Sequence, residues 1–440
     1  MKLKFLIAML AIFALIAAAC GGDDDDAADD GASTEDGAAA EDGEAPAEDG
    51  ETEGDGSGEG AAPAAGLDID AILAADLDNC AEAPTGDPIR VGMAMDFSDV
   101  VGFVDIPGSN LVPWVAELIN CNGGIDGTPV EVRVAEVGDD AALATEELLD
   151  WGAHFLIGPP FADFALPILQ TTGGEVPLFV AASTEPTLAD ADNNSFLVTF
   201  DDIQMGAAAA QWAFDEGITR AILFTEGEGI PYTGVNPDAF AAKFTELGGE
   251  VVSSQTYTWG VDTDFSAQVN EIAGLSENNE VVFSAMLAFQ LTALRAQLEG
   301  QGLDGLTYIG TDALDATGIQ DPEAAGGDNE GIAHTPHTSI SPGDRIDSLL
   351  AAYEAANGEA LESRGFMALY VDSMFLGIQG VLNCGCTEPA EIGAAVAALE
   401  GFEGLSGTIT YAGTNGIPPK AVPINRIVDG TDTLVATIGG

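Results

Sequence analysis

The alternation of apolar and polar positions in residues 154–188 predicts a βαβ unit. A buried strand, Phe155–Gly158, ends in a Gly-Pro-Pro turn, a helix follows, and a second apolar run at 176–182 ends in polar residues at 183–185. Two short apolar runs joined by one helix are typical of parallel strands. Because ligands bind beyond the carboxyl ends of such strands, residues 159–163 and 182–186 predict one wall of a binding cleft.

The same alternation continues along the chain and predicts two α/β series. The first has strands at 89–95, 130–137, 155–158, 176–182 and 196–200, and helices at 109–120, 140–151 and from Asp201-Asp202 to 214. The second has strands at 221–225, 250–257, 280–284, 307–310 and 331–335, with helices at 235–247, 264–275 and 288–300. Helices at 343–356, 364–382 and 388–399 and a closing hairpin at 422–438 follow. This order indicates an α/β fold with two Rossmann-like lobes whose connections cross more than once.

The first 87 residues predict export rather than folded structure. Two lysines precede an apolar run at 5–19 that ends in Ala-Ala-Ala-Cys20, and this resembles a bacterial lipoprotein signal in which Cys20 carries the lipid. An ordinary signal peptide, cut nearby, is the alternative. Residues 21–66 are acidic and contain no aromatic residue, which predicts a disordered tether. Residues 67–87 lead into the folded part.

The net charge of −63, from 74 acidic and 11 basic residues, excludes one class of partner. Nucleic-acid binding requires Lys and Arg to displace counterions. An anionic membrane surface would also repel the folded part, so the lipid anchor is the expected membrane contact. The acidity indicates either a saline habitat or a genome rich in Asp, Ala and Gly codons.

Four cysteines remain when Cys20 is assigned to the lipid, and an even number in an exported protein predicts two disulfides. We favour Cys80–Cys121, because both residues should lie at the end of the sheet away from the cleft. Cys384 and Cys386 would then pair with each other, unless the pairing is crossed. A metal site on these last two is disfavoured, since no further cysteine is left to complete it.

Seven segments now identify a resemblance. They are IRVGMAMDF at 89–97, NGGIDGTPVEV at 122–132, FLIGPP at 155–160, VPLFVAASTEPTL at 176–188, PYTG at 231–234, YIGTDAL at 308–314 and LSGTITYAGTNG at 405–416. In this order the chain resembles the type I periplasmic-binding-protein family over about residues 88–430, in the leucine/isoleucine/valine-binding branch of ABC transporter proteins. The resemblance implies parallel sheets in two lobes joined by a three-strand hinge. Lobe one would be 88–200 plus 337–404, and lobe two 201–336 plus 405–440.

The resemblance implies where an amino-acid carboxylate would bind. The family uses a hydroxyl residue at the N-terminus of the helix after the third strand, and this position is Ala162 here, with Asp163 beside it. Asp163 would compete with a carboxylate for the helix amides, or would only cap the helix. The family's second element corresponds to Ala182, Ser183 and Thr184.

The remaining contacts implied by the resemblance concern the ammonium group and the pocket walls. Asp312 would pair with the ammonium group, or would only cap a short helix. Tyr232 would cover the mouth of lobe two, and Leu287 takes a position where amino-acid binders often have Tyr. Phe103 and Phe161 would add apolar wall. By contrast, Trp114 and Trp212 have core spacing.

No enzyme chemistry is indicated. A Gly-x-Ser-x-Gly elbow and a phosphate-binding loop with Lys are missing from the sequence. His334 and His337 would face opposite sides of a strand, so a hinge strand is favoured over a metal pair. We therefore expect no catalytic residue, metal or cofactor.

The sequence as a whole predicts a monomeric, extracytoplasmic solute-binding protein of an ABC importer. It would bind a branched-chain or other amino acid and deliver it to the permease and ATPase subunits, facing the periplasm or the cell exterior. Alternatives are a binding protein for an amide, urea or a small aromatic or apolar compound, and a ligand sensor that acts through a separate partner.

Overall fold

The computed structural model describes residues 66–98, 102–138, 140–226, 231–361 and 363–439. The predicted signal segment, Cys20 and the tether up to residue 65 lie outside the described residues. Within the lead-in, a short helix, α1 (Ile69–Leu73), begins after Asp68, whose side chain accepts a hydrogen bond from the N–H of Ala71.

The first sheet has five parallel strands in the order β2-β1-β3-β4-β5. Its strands are β1 (Ile89–Met95), β2 (Val130–Glu136), β3 (Phe155–Gly158), β4 (Leu178–Val180) and β5 (Ser195–Leu197). Its connecting helices are α2 (Gly102–Cys121), α3 (Ala141–Trp151) and α4 (Ala162–Thr172). The rings of Phe155, Phe179 and Phe196 line up across neighbouring strands, with centroids 5.7–5.8 Å apart. Each buried Phe contributes about 1.5–3 kcal/mol, so this row is a main source of the lobe's stability.

The second sheet has seven strands in the order β14-β13-β10-β9-β8-β6-β7. They are β6 (Arg220–Glu226), β7 (Glu250–Tyr257), β8 (Val281–Ser284), β9 (Thr307–Gly310), β10 (Ala333–His334), β13 (Val422–Val428) and β14 (Thr431–Ile438). The helices are α5 (Asp202–Asp215), α6 (Tyr232–Glu246), α7 (Ser266–Leu275), α8 (Ala288–Gly300) and α9 (Asp312–Ala316). The strands from β6 to β10 are parallel, whereas β13 and β14 form the predicted antiparallel hairpin.

A helical block returns to the first sheet after β10. It consists of α10 (Arg345–Asn357), α11 (Arg364–Cys384) and α12 (Pro389–Ala397), followed by the two-stranded sheet of β11 (Phe402–Gly404) and β12 (Gly407–Ile409). Helix α11 is, among the described residues, long and apolar enough to cross a membrane, but 94% of its most apolar window is buried in the protein. The α/β fold with parallel strands in two lobes is therefore confirmed, and α11 is a core helix of the first lobe.

The chain passes between the lobes at 198–201, 335–344 and 412–421. These connections have irregular backbone, although the sequence predicted strands at 196–200 and 331–335; only Ser195–Leu197 and Ala333–His334 are strands. The predicted boundary at residue 404 is also wrong, because β12 pairs with β11 and Tyr411 is buried in the first lobe's core. Side-chain hydrogen bonds replace strand pairing where no neighbouring strand is available.

Helix α2 begins at Gly102, seven residues earlier than the sequence indicated. Pro107 and Gly108 disfavour helix in isolation. The early turns are held by packing, since a Cβ at position 108 would lie 2.7 Å from the ring of Tyr370 on α11. The close approach of α2 to α11 therefore requires glycine at this position.

Both favoured cysteine pairs are joined in the structure, Cys80 to Cys121 and Cys384 to Cys386. The first bond fixes the lead-in to the end of α2, and the N–H of Ala81 donates to the carbonyl oxygen of Cys121 (2.8 Å). Trp114 and Trp212 are buried in the cores of the two lobes, which confirms the expectation for both.

Candidate ligand-binding cleft

The N-terminus of α4 lies at the carboxyl edge of the first sheet, directly after β3 and its Gly-Pro-Pro turn. Phe161 is the N-cap residue and its side chain makes no capping hydrogen bond. Asp163 is exposed in the first turn and does not cap the helix, so that alternative for Asp163 is wrong. Since first-turn N–H groups have no partner within a helix, the amides of Ala162 and Asp163 are suited to bind an anion.

Ala182, Ser183 and Thr184 follow β4 at the same edge and are all buried. The Ser183 hydroxyl oxygen accepts a hydrogen bond from the N–H of Glu185 (3.2 Å). The carbonyl oxygen of Thr184 accepts one from the N–H of Asp202, the first residue of α5 (2.8 Å). This segment therefore contacts the start of the second lobe as well as the predicted anion site.

Tyr232 and Asp312 come together although they are 80 residues apart. The Tyr232 hydroxyl donates to Asp312 Oδ1 (2.5 Å), contacts the hydroxyl of Thr311, and accepts the N–H of Ala313 (3.2 Å). Burial, and then the negative charge of Asp312, raise the pKa of Tyr232 well above its usual value. Thr311 is the N-cap residue of α9, so Asp312 is the first helical residue rather than the cap.

His337 is the second partner of Asp312, and the sequence gave no reason to link them. Its Nε2 lies 3.1 Å from Asp312 Oδ2 and its Nδ1 lies 3.2 Å from Thr199 Oγ1. The ring is buried between Phe200 and Phe366, with centroid distances of 5.7 and 4.5 Å. It therefore joins the first two connections between the lobes to the predicted ligand carboxylate.

His334 has a different partner and does not form a site with His337. Its Nε2 lies 3.0 Å from Asp432 Oδ1 on β14, and Asn425 donates to the other oxygen of Asp432 (2.9 Å). The hydrogen bond and charge of His334 lower the pKa of Asp432 against the effect of burial. The two histidines thus serve separate buried contacts.

Asp202 is a further buried carboxyl group that sequence reasoning missed. The doublet Asp201-Asp202 was expected to cap a helix, and Asp201 does so by accepting the N–H of Gln204 (2.7 Å). Asp202 instead accepts a hydrogen bond from Asn236 Nδ2 (3.0 Å). Burial raises its pKa well above the usual value, and the charge of Asp312 adds to this effect. Only the packing of α5 on α6 distinguishes the two aspartates.

Asp105 is a second missed carboxyl group, near the end of β1. It accepts hydrogen bonds from the N–H of Asp96 (2.7 Å) and from the hydroxyl of Tyr370. Burial raises its pKa to about 7, although both hydrogen bonds act in the opposite direction. Asp105 holds α2 against α11 at the carboxyl edge of the first sheet.

The predicted apolar wall residues lie on different lobes. Phe103 and Phe161 are partly buried against the first lobe's core. Leu287 is buried at the N-terminus of α8 in the second lobe. Their contact with a ligand, like that of the other predicted site residues, stays a prediction.

Two α/β lobes with a buried acid, a tyrosine and a hydroxyl pair beside their connections define a two-lobed binding protein. The family model described as periplasmic binding protein matches residues 88–432, and the chain belongs to this family. The family and the fold inferred from the seven segments are confirmed.

Solved structures of the same fold include three with informative descriptions. The branched-chain amino acid transporter substrate binding protein LivJ from Streptococcus pneumoniae, in complex with isoleucine, is 21% identical, with 80% of this chain and 100% of that chain covered and a TM-score of 0.66. The leucine binding protein LivK from Thermotoga maritima is 22% identical, with coverage of 80% and 98% and a TM-score of 0.65. A solute binding protein from R. palustris, in complex with benzoate, is 19% identical, with coverage of 80% and 96% and a TM-score of 0.62. No curated protein sequence matches the chain significantly.

Proposed function

We propose that this protein is the extracytoplasmic solute-binding component of an ABC importer. It binds a small solute between its lobes and delivers it to the permease, while the ATPase subunits drive transport. The observation that carries this proposal is the meeting of Tyr232 and Asp312 beside the connections that lead to Ser183 and Thr184. Groups from both lobes at the carboxyl edges of parallel sheets are suited to close on one ligand.

An amino acid is the first candidate for the solute. Its carboxylate would accept hydrogen bonds from the amides of Ala162 and Asp163 and from the hydroxyl of Ser183, and its ammonium group would pair with Asp312. Structural relatives described as binding isoleucine and leucine support this ligand class. The apolar Leu287, Phe103 and Phe161 fit a branched aliphatic side chain.

A carboxylic acid without an amino group is the second candidate. The observation that favours it is that Asp312 already accepts the Tyr232 hydroxyl and lies beside His337, so its charge has partners within the protein. A structural relative described in complex with benzoate supports this class. An aromatic acid would use the same amides at α4 and leave Asp312 bound to its internal partners.

The N-terminal sequence supports an anchored location for this binding protein. We assign residues 1–20 as the export signal, Cys20 as the lipidated residue, and residues 21–66 as the tether. A mass spectrum of the membrane fraction would show the mature N-terminus at Cys20 with a lipid mass added. A soluble mature form cut at another residue would contradict the anchor.

Ligand binding is tested by isothermal titration calorimetry with L-isoleucine, L-leucine and benzoate. If an amino acid is the solute, Asp312→Asn lowers its affinity by about 100-fold, because the ammonium group loses its charged partner in a buried site. Asp238→Asn, an exposed position on α6, is the matched control and keeps wild-type affinity. Binding of benzoate alone, unaffected by Asp312→Asn, would replace the first candidate with the second.

A further inference from the structure

The side-chain pair Asp312–His337 has a consequence for how a ligand enters, and it rests on the proposed role of Asp312. We propose that His337 is the internal counter-ion of Asp312 and that a ligand ammonium group replaces it. Binding then proceeds as His337-H⁺ plus ligand giving neutral His337, bound ligand and one proton released to solvent. His337 is a positioning residue here, because it acts through Asp312 rather than on the ligand.

The first support is the geometry of the Asp312 carboxylate. One oxygen accepts the Tyr232 hydroxyl (2.5 Å), and the other lies 3.1 Å from His337 Nε2. Asp312 and His337 are both more than nine-tenths buried. A single carboxylate in such a site can neutralise one neighbouring cation, so an ammonium group and a protonated imidazole exclude each other.

The second support is the set of titratable groups around His337. Helix α9 contributes Asp312 and Asp315, and Asp202 on α5 and Tyr232 on α6 interact with Asp312. Burial raises the pKa of Asp202 and of Asp315, which favours their neutral forms. The carboxylate that pairs with His337 is therefore that of Asp312.

The remaining surroundings of His337 place it between the lobes. Phe366 of α11 and Phe200 of the first connection pack on the ring, and Thr199 lies 3.2 Å from Nδ1. His337 itself belongs to the second connection. A change in its protonation therefore alters a contact that spans two of the three segments that must bend when the lobes close.

The pairing is tested first without any ligand. The chain has three histidines, so the ¹⁵N signals of the imidazole rings can be assigned by single substitutions. Asp312→Asn should change the His337 signals and leave those of His154, whose Nδ1 accepts the N–H of Arg90 (3.2 Å), unchanged. Unchanged His337 signals in a folded Asp312→Asn protein would overturn the inference.

The proton release is tested with L-isoleucine as the probe, by calorimetry in two buffers of different ionisation enthalpy. For the wild type, the two heats should differ by an amount equivalent to up to about one proton released, and the affinity should fall by up to about tenfold per pH unit of acidification. His337→Gln should remove this pH dependence, whereas His334→Gln should retain it. Benzoate, which has no ammonium group, should release no proton.

The outcomes separate the inference from the proposed function. If isoleucine binds with the same heat in both buffers and with no pH dependence, the inference is wrong and the binding function stands. If isoleucine does not bind but the His337 signals respond to Asp312→Asn, the pairing is supported and the amino-acid assignment fails. The wild-type calorimetry needs no variant, so a folding defect in His337→Gln cannot leave the question open.

Discussion

Lys420 lies buried in the third connection between the lobes and is part of a chain of hydrogen bonds. Its Nζ donates to Ser406 Oγ (2.6 Å) and reaches the carbonyl oxygen of Val198 in the first connection (3.4 Å). The Ser406 hydroxyl donates in turn to Asp372 Oδ2 on α11 (2.6 Å). We predict that Lys420→Met destabilises the protein, because Asp372 then remains buried without a cation.

The magnitude follows from what is known of buried charge pairs. Burial lowers the pKa of Lys420 from 10.5 to about 8, against the effect of Asp372. Loss of one partner of such a pair costs about 3–5 kcal/mol, whereas removal of both charges is often neutral. The free energy of unfolding of Lys420→Met should therefore fall by about 3 kcal/mol, and Lys420→Met with Asp372→Asn should recover at least half of the loss.

Urea unfolding, followed by tryptophan fluorescence at pH 7, measures both effects. The matched control is Lys243→Met, since Lys243 pairs only with Glu246 on the surface of α6 (3.2 Å). Such exposed pairs contribute about 0–1 kcal/mol. A Lys420→Met protein as stable as this control would refute the reasoning, as would a double variant less stable than either single variant.

The pH dependence gives an independent check with a definite sign. Below about pH 8 the folded protein keeps the proton on Lys420 at a cost, while the unfolded chain holds this proton up to about pH 10.5. Between these values the unfolded state binds more protons, so the contribution of Lys420 to stability rises with pH. The wild type should therefore gain stability over Lys420→Met from pH 8 to 10.5, and a constant difference would contradict this.

Two further predictions concern the packing of the first lobe. Burial raises the pKa of Asp105 from 3.8 to about 7, so its contribution to stability falls as the pH rises from about 4 to 7; relative to the wild type, Asp105→Asn should gain up to about 4 kcal/mol between pH 4 and pH 8 in urea unfolding, and a loss over this range would contradict the assignment. Gly377→Ala should cost about 1–3 kcal/mol, because its Cβ would lie 2.3 Å from the Phe155 ring; Gly274→Ala, on open helix surface, should instead raise the melting temperature slightly, and equal effects of the two would show that the contact relaxes freely.

The strands of the second sheet were the most predictable part of the fold. Strands at 250–257 and 307–310 have the predicted bounds, because apolar runs between glycine-rich turns depend on local sequence. The start of α2 was missed for the opposite reason, since Pro107 and Gly108 oppose helix locally and their packing on Tyr370 decides the outcome. Local pattern therefore sufficed wherever propensity and packing agreed.

The candidate site divides in the same way. The sequence by itself determined which segments follow the strand ends, and thereby Ser183, Thr184, Tyr232 and Asp312 as candidates. Only the tertiary structure decided that Asp312 meets His337. The physical reason is that burial and partners at the connections arise from segments far apart along the chain, and no local pattern encodes which polar side chain loses contact with water.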